Sequence, residues 1–283
     1  MAALLIQMCH PGCQIHFLSP GQGFSGDLLK ACHGLHVVMI DIAPASDADF
    51  TKMDAETRDF IVIDHHVSNH AKFAGKENYF PVNVLSGASA AYLYVDGPNV
   101  FGPNQRLVFD AVRYIQERDT WSWNKDTEEE SKKWSLSLNA IIVPLGNEEA
   151  LRVLCGVISS ESEFRRIESD PTGAWKQLRD GVAEIARIAV LVNLPGQKSV
   201  LLVDLRDRTD LSIAINDGGN ELSSERGSPV LFARNSRSDP GAVTFSLRGE
   251  NCIDIAKLFG GGGHRNAAGF TLSAEEATKA FGL

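Results

Sequence analysis

The chain has 283 residues, 43% of them hydrophobic and 22% charged, the profile of a globular protein long enough for two domains. No apolar run reaches the roughly 18 to 20 residues that a membrane-spanning helix needs, and the opening MAALLIQMCHPGC lacks the basic flank of a signal peptide, so a cytoplasmic protein without a membrane partner is expected. A formal net charge of −9 argues against a broad basic face gripping long duplex DNA, and the five scattered cysteines (Cys9, Cys13, Cys32, Cys155, Cys252) read as reduced thiols rather than a disulfide framework.

Short apolar runs open the chain: QIHFLS at Gln14 to Ser19, LHVVMIDI at Leu35 to Ile42 and DFIVID at Asp59 to Asp64. Alternating with helical patterns, they predict βα units around a parallel sheet, and the second and third are apolar nearly throughout, as strands buried on both faces should be. Leu107, Val108, Ala111, Val112 and Ile115 fall on one face of a helix predicted over Pro103 to Asp119. The charged run Asp126 to Lys133 reads as a solvated turn. Leu151 to Val192 reads as mostly helical, broken near Asp170-Pro171. Beyond Pro195 the pattern becomes strand-like: SVLLVDL (Ser199 to Leu205), LSIAI (Leu211 to Ile215), PVLFAR (Pro229 to Arg234) and AVTFSLR (Ala242 to Arg248), separated by Gly- and Asp-rich turns. A helix, IDIAKLF at Ile253 to Phe259, then leads into a glycine run and a last strand, AAGFTL. The predicted architecture is α/β: a parallel-sheet domain over 1–125, a mainly helical connector over 126–194, and a smaller α/β domain over 195–283.

Two groups of residues could carry chemistry. Asp64-His65-His66 directly follows the run FIVI, and Asp41 closes the preceding strand, so both sit at carboxyl ends of parallel strands, where open α/β folds bind ligands. Asp119 could join them from the tip of its helix. Carboxylate and imidazole donors suit Mn²⁺ or Mg²⁺, although the spacing alone fits equally well a turn-capping Asp41 and histidines satisfied by structure. The second group is GGGGHRNAAGF at Gly260 to Phe270, where glycines let a ligand approach the backbone and His264, Arg265 and Asn266 offer donors, with Arg248 within reach at a strand end. One glycine would suffice to stop a helix; four followed by three ligand-capable side chains favour a binding loop. Trp121 and Trp123 could stack a base or pack between domains, and Ser86 could meet a phosphate or cap the helix that follows it.

VIDHH at Val62 to His66 and GGGGHRNAAG at Gly260 to Gly269, supported by MIDIAPAS around Asp41, LSGASAAYLY after the histidines and ERDTWSW around Asp119, resemble the DHH phosphoesterase superfamily in its DHH/DHHA1 branch. The likeness runs over most of the chain. It implies a DHH domain followed by a DHHA1 substrate-binding domain; Asp41, His65 and Asp119 as ligands of Mn²⁺, with Mg²⁺ as the alternative ion; Asp64 and His66 as catalytic residues that support the site or contact the scissile phosphate; and Arg248, Gly262, Gly263, His264, Arg265 and Asn266 as the substrate-holding set. Superfamily members include RecJ-like exonucleases, oligoribonucleases, bisphosphate nucleotidases and cyclic-dinucleotide phosphodiesterases. The implied function is metal-dependent hydrolysis of phosphoester bonds in nucleotides or short single-stranded oligonucleotides, in a chain that could pair with a second copy. One departure matters: members normally open on a strand of the form H-x-x-x-D-x-D-G, whereas Met1 to Ile6 resembles the helix that follows that strand, and no such aspartate pair precedes Asp41. With three ligands of the pattern lacking, the chain as given is expected to hydrolyse poorly. Either it begins downstream of its natural start, or it is a non-catalytic nucleotide or nucleic-acid binding protein that keeps the fold.

Overall fold

Apolar strands that end in acidic residues, followed by helices started by serine caps, organise the first part of the chain. The structure is a computed structural model that describes residues 1–19, 21–194, 199–236, 239–263 and 265–283. It divides into two compact units, Met1–Ala174 and Trp175–Leu283.

The first unit contains α1 (Ala2–Cys9), α2 (Gly26–Cys32), β1 (His36–Ile40), α3 (Asp47–Glu56), β2 (Asp59–Asp64), α4 (Val67–Lys72), β3 (Tyr79–Pro81), α5 (Gly87–Tyr94), α6 (Gly97–Val100), α7 (Gln105–Thr120), α8 (Glu128–Ile142), α9 (Asn147–Ile158) and α10 (Glu161–Glu168). Ser25, Ser46, Ser86 and Ser160 each accept a backbone N–H at a helix start, so α2, α3, α5 and α10 begin where the sequence supplies a hydroxyl. The strands form a parallel sheet in the order β1-β2-β3, with Ile40 opposite Ile63 and Asp64 opposite Pro81. The carboxyl ends of β1 and β2 are therefore level, which sets Asp41 beside the start of Asp64-His65-His66. Phe50, Met53, Phe60, Val62 and Phe73 fill one core. Trp134, Phe164 and Tyr114 anchor a second, helical one, where each fully buried large apolar side chain contributes roughly 1.5 to 3 kcal/mol.

The second unit contains α11 (Ala174–Ile188), β4 (Val190–Asn193), β5 (Ser199–Asp204), α12 (Ile215–Arg226), β6 (Val230–Asn235), β7 (Ala242–Arg248), α13 (Cys252–Leu258), β8 (Gly262–Gly263), β9 (Ala267–Ser273) and α14 (Ala274–Phe281). Its sheet runs β4-β5-β6-β7-β9-β8, parallel only between β5 and β6. Phe245, Phe270 and Phe281 pack against one another on its covered face. The α/β architecture, with a parallel sheet first and a smaller α/β unit second, is the one expected. The helices of the stretch 126–194 divide between the units, α8 to α10 with the first and α11 with the second.

Several local expectations are corrected. Gln14 to Ser19 forms no strand: only Ile15 and Leu18 are partly buried, Phe17 is 51% exposed and the segment joins no sheet. A short apolar run becomes a strand only where a neighbour offers a free edge. The charged run at Asp126 to Lys133 is mostly the first turns of α8, where Glu128, Glu129 and Glu130 complement the helix N-terminus and Glu128–Lys132 and Glu129–Lys133 pair at 2.8 and 2.5 Å. LSIAI is a 3-10 turn (Thr209–Ala214) running into α12, because Leu211, Ala214, Ile215, Gly218 and Leu222 are buried at helical spacing that five residues are too few to reveal. β4 lies in a stretch read as helical, and α14, closed by a Ser273/Glu276 capping box, was not foreseen.

Candidate functional site

β1 ends in a residue that must turn sharply out of the sheet. Asp41 does so in the left-handed region, φ 66°, with its N–H donating to the Ile63 carbonyl at 3.0 Å. Aspartate tolerates that conformation better than most side chains. The helix α5 then presses on it: a Cβ added at Gly87 would stand 2.2 Å from Asp41 Cβ and 2.3 Å from its Cγ. Only glycine lets the helix start this close. Ser86 fixes that start, its Oγ accepting from the Ser89 N–H at 3.2 Å while its own N–H donates to Gln116 Oε1 of α7 at 2.6 Å. Ser86 is fully buried and serves as the cap, as one of its two readings held.

β2 ends in Asp64, whose carboxylate is wholly buried. His66 Nδ1 donates to its Oδ1 and Asn69 Nδ2 to its Oδ2, both at 2.7 Å, and His70 Nε2 reaches the Asp64 carbonyl at 3.2 Å. A buried carboxylate persists only with such donors. Asp64 therefore faces inward, as a residue that supports the site, and it fixes the His66 ring with Nε2 left to face outward functions. His65 points the other way. Its Nε2 lies 3.0 Å from Asp41 Oδ1 and 3.7 Å from Asp119 Oδ2, and its ring meets that of His66 edge-on at 4.4 Å. The Asp41 hydrogen bond, joined by the Asp119, Asp41 and Asp64 charges, raises the His65 pKa above its ordinary value against burial. Burial raises the Asp119 carboxyl, with His65 opposing.

Among the described residues, the donor atoms of Asp41, His65 and His66 lie within 4.8 Å of one another, as a shared cation requires. Of the expected trio, Asp41 and Asp119 both approach His65 Nε2, but the converging group is Asp41, His65 and His66, and Asp119 is not part of it. Asn69, Gly87 and Gln116, which hold these groups in place, escaped sequence reasoning. Only the SGAS segment before α5 hinted at one of them. Beside Asp119, Trp121 caps α7 in the left-handed region and meets Trp123 edge-on at 6.0 Å, with the Arg118 guanidinium 5.5 Å from the Trp121 ring.

In the second unit, Arg248 closes β7. Its Nε donates to Asn216 Oδ1 at 2.9 Å and its Nη1 to the Leu247 carbonyl at 2.7 Å. Arg265 and Asn266 are exposed at the same sheet end, tied there because their carbonyls accept from the Cys252 and Gly249 N–H groups at 2.7 and 3.2 Å. Gly262 and Gly263 are exposed and form the edge strand β8, opposite Gly269 and Ala268. Close approach demands glycine at Gly261 and Gly263, where an added Cβ would meet the Gly269 carbonyl oxygen at 2.2 Å and Ala268 Cα at 2.5 Å. His264, also expected to hold substrate, lies outside the described residues.

No family model matches the chain, and no curated protein matches it. Among solved structures it is similar to a pGpG-specific phosphodiesterase from Vibrio cholerae, at 15% identity over 98% of this chain and 91% of that one, with a TM-score of 0.56. It is also similar to exonuclease RecJ bound to manganese, at 15% identity over 98% of this chain and 83% of that one, with a TM-score of 0.51. What the chain shares with both is a two-unit α/β fold. Among the described residues no helix is long and apolar enough to cross a membrane.

Proposed function

We propose that the chain is a metal-dependent phosphoesterase of the DHH superfamily that hydrolyses phosphoester bonds in nucleotides or short oligonucleotides. The observation that carries this reading is the convergence of Asp41, His65 and His66 within 4.8 Å, at the level ends of two parallel strands. The donor set is oxygen and imidazole without thiolate, which fits Mn²⁺ and, less fully, Mg²⁺. Asp41, His65 and Asp119 would hold the ion, with His66 as a further donor or a phosphate contact steered by Asp64. A divalent ion there supplies neutralisation of phosphoryl charge and acidification of water near pH 7. Arg248, Arg265 and Asn266 would bind the anionic end of the substrate, and the acidic balance of the chain favours short ligands.

This cluster has donors for one cation. Two-metal phosphoesterases clamp both the attacking and the leaving oxygen, so slow turnover by these 283 residues belongs to the proposal. The test is a Mn²⁺ titration with a parallel assay of dinucleotide cleavage. Micromolar Mn²⁺ binding that vanishes in His65→Ala, with weak Mn²⁺-dependent cleavage, is the expected result. Unchanged Mn²⁺ affinity in His65→Ala would overturn the site. Nucleotide binding with no cleavage at any Mn²⁺ concentration would favour a binding protein instead.

A further inference from the structure

The face of the second sheet against which α12 packs, burying Val230 and Phe232, holds an arginine that the motifs did not single out. Antiparallel register places Arg234 of β6 opposite Thr244 and Phe232 opposite Ser246 on β7, with Arg248 two residues beyond Ser246. Residues facing each other across a pair share a face, so Arg234, Thr244, Ser246 and Arg248 lie on one side, while Leu231, Ala233, Phe245 and Leu247 enter the core on the other. Arg234 leans along the sheet toward Arg248, its Nη2 donating to Ser246 Oγ at 3.1 Å.

Five other arginines of this unit are neutralised, while the exposed Arg265 pairs with no carboxylate among the described residues. Arg179, Arg187, Arg206, Arg208 and Arg226 each pair with a carboxylate. Arg234 and Arg248 pair with none among the described residues, and Arg234 Nε is shielded from solvent with no acceptor there. Burial and the Arg234 charge both lower the Arg248 pKa, so the two guanidinium groups sense each other. On the far side of β7, Ala267 and Gly269 stand opposite Arg248 and Ser246, side chains too short to cover the pair. Two neighbouring, half-buried like charges with unused donors oppose folding unless an anion serves them.

We propose that Arg234 and Arg248, with Ser246 between them and Asn216 orienting Arg248, form a two-arginine site for a phosphomonoester dianion. A carboxylate would satisfy a single fork, whereas a phosphate presents three oxygens and about two charges to both. The choice of phosphate rests on the phosphoesterase reading, while the pairing of the two arginines does not.

The test is calorimetric titration of the full chain in EDTA, at about pH 8 where phosphate is dianionic, with inorganic phosphate, adenosine 5′-monophosphate and acetate as probes. Arg234→Gln is expected to weaken both phosphate probes at least about tenfold, as loss of charge-assisted hydrogen bonds does. Arg234→Lys should recover only part of that affinity, since lysine lacks the fork. Arg234→Gln should leave Mn²⁺ binding at the Asp41 cluster unchanged, and its melting temperature reports whether it folds. Wild-type phosphate affinity in folded Arg234→Gln, or acetate bound as tightly as phosphate, would overturn the site. Because the titration contains no free metal, failure of the metal-centre reading leaves its outcome readable.

Discussion

Replacing Gly87 by alanine tests the placement of Asp41 directly. The added Cβ would lie 2.2 Å from Asp41 Cβ and 2.6 Å from its Oδ2, where carbon contacts settle near about 3.5 to 4 Å. More than an ångström of displacement must be found. The Asp41 backbone is tied to Ile63 at 3.0 Å, so the strain falls on the Asp41 carboxylate or on the start of α5. Overpacking of this kind costs roughly 1 to 3 kcal/mol, and alanine's helix preference returns at most about 1 kcal/mol. A net loss of roughly 1 to 2 kcal/mol lowers Tm by about 2 to 8 °C in a unit of this size. Moving the carboxylate off His65 should also weaken Mn²⁺ by roughly 10- to 100-fold, and should drop the His65 pKa toward its ordinary value, since the Asp41 hydrogen bond is its chief support. Asp41→Asn separates the two effects: it keeps the left-handed tolerance and the packing, and should lose Mn²⁺ affinity with little change in Tm. Scanning calorimetry, Mn²⁺ titration and NMR titration of the histidine ring protons supply the readouts. Gly87→Ala with wild-type Tm, Mn²⁺ affinity and His65 titration would show that α5 does not press on Asp41.

Asn69→Ala leaves the buried Asp64 Oδ2 without its 2.7 Å donor and should destabilise the chain by about 1 to 3 kcal/mol, read as a fall in denaturation midpoint; an unchanged midpoint would mean that Asn69 does not support Asp64. Cys252 is fully buried, and burial pushes its thiol up to about 11, so iodoacetamide at neutral pH should modify the half-exposed Cys13 first and spare Cys252 until unfolding, as peptide mass mapping would show. Hydrogen bonds from Arg187 and then Arg208 lower Glu184 to about 2. A depressed carboxyl stabilises the fold above its unfolded value near 4.5 and loses that contribution as pH falls toward 2, so a Tm gap between wild type and Glu184→Gln at pH 6 should close by about pH 2, and a gap that persists there would contradict the assignment.

The parts of the site that sequence revealed are those where burial writes itself into composition. β2 is a continuous apolar run because both its faces are largely covered, β1 is an apolar edge strand only partly buried, and an acid that ends such a run stands at the sheet's end, so Asp41 and Asp64 could be found without coordinates. What the acids do there was not legible. Asp64 turns inward to His66 and Asn69, and Asp41 turns outward in a left-handed conformation under α5, a difference set by local backbone geometry and by Gly87. LSIAI misled for the opposite reason: in five residues a strand and a 3-10 turn bury the same side chains, and only the later Gly218 and Leu222 complete the helical period.

Charge behaves in the same way. A net charge of −9 averages over the whole chain and argues against a long basic groove, but it says nothing of where cations lack partners. The first unit gathers Asp41 and Asp119 around His65, so carboxylates there are repelled by one another and relieved by His65, by His66 or by a cation. The second unit pairs Arg179, Arg187, Arg206, Arg208 and Arg226 with carboxylates and leaves Arg234 and Arg248, like the exposed Arg265, without one among the described residues. Each unit thus holds a concentration of one sign that its own residues do not cancel, and each is relieved by an ion of the other sign. A phosphoester ligand and a divalent cation have those signs, so metal affinity and phosphate affinity should each survive loss of the other site's charges: Asp41→Asn should bind phosphate in EDTA as wild type does, just as Arg234→Gln should keep Mn²⁺.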